Sequence, residues 1–161
     1  MNYSNLKKSF WDEGYVIIKI FFSYDEMEDF NYELKSTIKS YLKKNNINNN
    51  IKNYFNEGIF QLEKDKHENI AALYDTIFQI PSFLRIIGKI EIQELINSLL
   101  GKNLKDPLYG FTQRCRIDPP NDSKRTYGWH QEVFYTLPKS QFLQTWAPLI
   151  RDTTISNGTI E

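Results

Sequence analysis

The sequence predicts an α+β chain, with a helical front half followed by short strands. Apolar residues recur at helical spacing between Ser23 and Leu100. After Leu108, β-branched and aromatic runs broken by turn residues take over. The 161 residues allow at most one domain, long enough to bury a core. That domain is expected over 1–161, with a strand and helices in about 1–105 and the strand-rich part in about 106–161.

In chain order, Phe10-Trp11-Asp12-Glu13-Gly14 leads into Tyr15-Val16-Ile17-Ile18-Lys19-Ile20, a short β-branched run that predicts a strand. Ser23-Tyr24-Asp25-Glu26 carries a capping-box pattern, with Ser23 as N-cap and Glu26 reaching back to its amide. Met27, Phe30, Leu34, Ile38 and Tyr41 then form one apolar stripe, and the helix is expected to end near Lys43-Lys44. The asparagine-rich stretch 45–50 favours turns and predicts a loop.

From Asp65 to Gln79 the positions Ile70, Leu73, Tyr74, Ile77 and Phe78 again follow the helical period. Pro81 starts a second short helix through Phe83, Leu84, Ile86 and Ile87 to Gly88. Another is expected from about Glu91 to Leu100, stopped by Gly101. His67, beside Lys66 and Glu68, is expected to be solvated rather than a ligand. Strands are expected at Leu108 to Ile117, around His130, and at Phe142 to Ala147, where Pro148 stops the run. Asn157-Gly158 is a strong hairpin-turn dipeptide.

Composition bounds the function. With 40% hydrophobic and 15% aromatic residues the chain is globular rather than disordered. A net charge of +0 gives no reason to expect nucleic acid as a partner. The single cysteine, Cys115, cannot form an internal disulfide and is expected to pack as a small apolar residue. No apolar run approaches a membrane span, and no signal-peptide core follows Lys7 and Lys8, so a cytoplasmic location without a membrane partner is the expectation.

The chemistry gathers in Tyr127-Gly128-Trp129-His130-Gln131-Glu132-Val133-Phe134-Tyr135. On a strand His130 and Glu132 would share one face, roughly 7 Å apart at the backbone. An imidazole and a carboxylate so placed make up part of a two-histidine, one-carboxylate triad for non-heme Fe(II). Alone, the same pair also describes two polar residues on a surface strand.

Wider segments narrow this choice. Arg114-Cys115-Arg116-Ile117-Asp118-Pro119-Pro120, Gly128-Trp129-His130-Gln131-Glu132, Trp146-Ala147-Pro148-Leu149 and Ser156-Asn157-Gly158-Thr159 together resemble the phytanoyl-CoA dioxygenase family. Gly14-Tyr15-Val16-Ile17-Ile18-Lys19 extends the resemblance, which is specific only between about Arg114 and Gly158. It implies the first strands of a double-stranded β-helix barrel, C-terminally incomplete. It also implies a hydroxylase that uses Fe(II) as cofactor and 2-oxoglutarate as cosubstrate on a small molecule. By that resemblance His130 and Glu132 are metal ligands, Trp146 lines the 2-oxoglutarate pocket and Gln131 orients its neighbours. Arg116 is a candidate for meeting an anionic cosubstrate or substrate.

The sequence departs from the family pattern at three points. Glu132 stands where the family carries Asp, one methylene shorter, but it keeps an anionic oxygen and argues against the halogenating variants. No histidine follows His130, and Arg151 lies off the position of the family's 2-oxoglutarate anchor. The expectation is therefore an N-terminal part of an oxygenase, inactive alone and completed by a missing C-terminal half or another chain. The rival readings are a non-catalytic truncated remnant and an interaction module.

Overall fold

The computed structural model describes residues 2–47, 50–108, 113–117 and 142–154. The chain divides into two units, Met1–Tyr127 and Gly128–Glu161.

In the first unit, α1 (Tyr3–Glu13) starts where the Asn2 side chain accepts the Asn5 N–H. It ends at Gly14, whose φ of +82° suits a residue without a Cβ and whose N–H reaches the Phe10 carbonyl. This helix is not foreseen in the sequence. No α1 side chain is fully buried. Its hold on α6 (Ile90–Leu99) is polar: the Trp11 indole N–H donates to the Leu99 carbonyl at 2.9 Å, and the Tyr3 hydroxyl donates to Glu94 at 3.0 Å.

α2 (Tyr24–Lys44) forms as its sequence predicts. Ser23 Oγ accepts the Glu26 N–H, and the Glu26 carboxylate accepts the Ser23 N–H at 2.7 Å, closing the capping box. Phe30, Leu34, Ile38 and Leu42 are buried, while Met27 and Tyr41 sit at the half-buried margin. Tyr41 uses that position to donate to the Ala72 carbonyl and to share a hydrogen bond with Thr76.

A π-helical turn, Tyr54–Gly58, then feeds α3 (Ile59–Asp65), neither of them foreseen. The turn closes with the Gly58 N–H on the Asn53 carbonyl, five residues back. Gly58 is buried against α2: a Cβ there would lie 3.0 Å from Ile38 Cγ2 and 3.4 Å from Leu42 Cδ1. Glycine therefore lets the two backbones approach.

α4 (His67–Ile77), α5 (Pro81–Ile87) and α6 form as the periodicity predicts, with Pro81 opening α5 and Gly101, at φ +72°, closing α6. Ile70, Leu73 and Ile77 of α4 are fully buried beside Leu62 of α3. α2 packs on α3, α4 and α5, and Phe83 of α5 lies 6.1 Å from Phe30 and 6.2 Å from Phe78, ring to ring. No single helix among the described residues is long and apolar enough to cross a membrane.

These findings correct the expected α+β class. The described residues are all-α, and no strand occurs among them. Residues 15–20, expected as a strand, instead connect α1 to α2. Their alternation persists, with Val16 and Ile18 half-buried and Tyr15, Ile17 and Lys19 exposed, but no ladder forms. Ile20, at φ +55° and 94% exposed, ends any extended run. Residues 113–117 and 142–147 likewise form no strand. β-branched and aromatic residues favour strands only where a partner strand and a packed face receive them. The first strands of a double-stranded β-helix are therefore not present at either place, and the strand expected around His130 lies outside the described residues.

Two carboxylates of α2 join it to α5 and to the entry of α6. The Glu26 carboxylate accepts from Lys89 Nζ at 2.7 Å, and Glu33 accepts both the Ser82 hydroxyl at 2.7 Å and the Ser82 N–H at 2.9 Å. The Lys89 hydrogen bond, then the Ser23 amide, hold Glu26 below the ordinary carboxylate range, and the two Ser82 hydrogen bonds do the same for Glu33. A lowered carboxyl pKa stabilises the fold above the unfolded-state value of about 4.3 and loses that contribution as pH falls through the folded value. The urea midpoint is therefore expected to fall as pH is lowered below about 5. A Glu26→Gln, Glu33→Gln double variant should lower the midpoint at neutral pH and flatten this slope.

Candidate functional site

The segment that leads toward His130 is anchored on the helical layer. At residues 113–117, Gln113, Arg114 and Arg116 are exposed, Cys115 is buried and Ile117 is half-buried. The tie is Tyr74 of α4, whose hydroxyl accepts the Ile117 N–H at 2.7 Å and donates to the Ile117 carbonyl. One phenol thus meets both backbone groups of a residue 43 positions away. Sequence reasoning placed Tyr74 on an apolar stripe and missed this role. The only available signal was a hydroxyl on an otherwise aliphatic face.

Upstream, the chain is closed back onto α6. The buried Asn97 amide donates to the Leu104 and Asp106 carbonyls at 3.2 and 2.8 Å, and Gln93 adds a bond to Asp106 at 3.0 Å.

Of the predicted site residues, the structure describes Arg116 and Trp146. Arg116 is exposed. Trp146 belongs to the second unit, outside any helix or strand, and is 49% exposed. His130, Gln131 and Glu132 lie outside the described residues. Among the described residues, no three histidine, cysteine, aspartate or glutamate side chains converge as a metal site. His67 is exposed as expected, 4.0 Å from Glu63 through Nδ1.

Cys115 behaves as the sequence suggests. Burial pushes its thiol up to about 11, so the thiolate is scarce at neutral pH.

None of the protein-family models, curated proteins or solved structures compared with this chain matches it. The resemblance to the phytanoyl-CoA dioxygenases thus rests on the motifs themselves.

Two measurements check this anchoring. Tyr74→Phe leaves both Ile117 backbone groups without their partner, which should cost about 1–3 kcal/mol and speed exchange of the Ile117 amide. In the native protein Cys115 should resist a colorimetric disulfide reagent at neutral pH and react fully in denaturant. In the Tyr74→Phe variant the native reaction should accelerate.

Proposed function

We propose that residues 114–158 carry part of the active site of a non-heme Fe(II)- and 2-oxoglutarate-dependent oxygenase that hydroxylates a small molecule. The observation that carries this reading is the run Gly128-Trp129-His130-Gln131-Glu132, set between the Arg114–Pro120 and Trp146–Leu149 segments in the order of the resembled family. Chemical function resides in the site rather than the fold class, so an all-helical front layer does not decide it.

The donor chemistry suits the metal: a neutral imidazole nitrogen from His130 and a carboxylate oxygen from Glu132 are ligands that Fe(II) accepts. Bound iron would supply oxygen activation, with 2-oxoglutarate as the co-oxidised cosubstrate. The chain's own residues bind and orient. Gln131 positions the ligand pair, Trp146 offers an aromatic wall, and the Arg116 guanidinium offers a cation to a carboxylate. His130 and Glu132 are two ligands of three, and the third is not a histidine later in this sequence.

A second reading, a non-catalytic interaction module, is favoured by the absence of strands among the described residues. Anaerobic Fe(II) titration by calorimetry, with and without 2-oxoglutarate, separates the two. The oxygenase reading expects one-to-one binding that tightens with 2-oxoglutarate. It also expects that binding to weaken by at least about tenfold in His130→Ala and in Glu132→Ala. Absent binding, or binding indifferent to both substitutions, would leave the interaction module.

A further inference from the structure

The charges of α2 are sorted along its axis. Asp25, Glu26, Glu28, Asp29 and Glu33 occupy its first half, and Lys35, Lys39, Lys43 and Lys44 its second. Part of this pattern is spent inside the molecule: Glu26 pairs with Lys89, Asp29 with Arg85, and Glu33 holds Ser82.

The remainder forms one stripe. At 100° per residue, Asp25, Glu28, Tyr32, Lys35, Lys39 and Lys43 fall within roughly 80° of arc. All of them are exposed, Tyr32 by 74%. Among the described residues no ion pair engages Asp25, Glu28, Lys35, Lys39 or Lys43. Lys35 and Lys39 instead crowd one ring, their ammonium groups 5.6 and 5.0 Å from the Tyr54 centroid. Two like charges over a single ring repel each other, and an opposing carboxylate would relieve that repulsion.

The spacing is self-complementary. When a second α2 runs antiparallel about a two-fold axis between residues 33 and 34, Glu28 faces the other copy's Lys39 and Tyr32 its Lys35, while Asp25 comes within one position of its Lys43. Each pairing then occurs twice, as a two-fold interface requires. Helix axes about 8–10 Å apart bring such long side chains into reach. The net charge of +0 sets no long-range repulsion against self-association.

We infer that the Asp25–Lys43 face of α2 binds a second copy of this chain as an antiparallel, two-fold helix pair. Exposed ion pairs contribute little individually, so the dimer is weak and salt-sensitive.

Sedimentation equilibrium of the full chain tests this at about 20 mM and about 500 mM salt. The dimer should form at low salt and weaken by at least about tenfold at high salt. Glu28→Lys and Lys39→Glu should each be monomeric, with helix content unchanged by circular dichroism. Their equimolar mixture should dimerise, because each chain's reversed residue then meets an opposite charge, and the Glu28→Lys, Lys39→Glu double variant should dimerise by itself. The inference is overturned by a monomer at low salt across the accessible concentrations. A dimer indifferent to both single reversals, or a mixture that stays monomeric, would overturn it as well.

Discussion

The structure depends on burying one face of α2. Phe30, Leu34, Ile38 and Leu42 lose nearly all contact with water, and the π-helical turn, α3, α4 and α5 are the elements that cover them. Each such side chain contributes about 1.5–3 kcal/mol when fully buried, which far exceeds what any single cap or ion pair adds. The polar ties then choose among possible arrangements of the layer. Glu33 can satisfy the Ser82 amide and hydroxyl together only if α5 starts where it does. Glu26 serves its own helix and Lys89 at once, so capping α2 and placing the entry to α6 are one event.

How much of this was legible depends on the distance between cause and effect along the chain. α2 was readable because its cap, its period and its terminal charges all lie within its own residues. α4, α5 and α6 were readable for similar reasons, with Pro81 and Gly101 marking their limits. α1 was not, because its contacts lie 88 and 91 positions away in Leu99 and Glu94. The run at 15–20 misled in the opposite direction: its local preference is genuine, but a strand is a property of a pair. The Tyr127–Tyr135 motif was equally open to two readings, since alternation specifies a shared face only once a strand exists.

The candidate site was legible as chemistry more than as geometry. Residue types and their order imply imidazole and carboxylate ligation at His130 and Glu132. What the structure adds lies before them, where Tyr74 ties the 113–117 segment to α4 and Cys115 is buried. That support could not be read from Tyr74 itself, because a tyrosine on an aliphatic stripe reads as packing until its partner is known. Arg116, a candidate for meeting an anionic cosubstrate or substrate, is exposed.

The π-helical turn before α3 has a consequence for phase. Its five-residue hydrogen bond from Gly58 to Asn53 accommodates one residue more than an α-turn would. Removing a residue there, whatever its identity, would rotate all of α3 by roughly 100° relative to the preceding chain. Ile59 and Leu62 would swing away from the interior, and neighbouring polar positions would replace them. In this stretch the number of residues matters as much as their type, and the turn works as the indexing step that brings the next helix to the core in the right rotation.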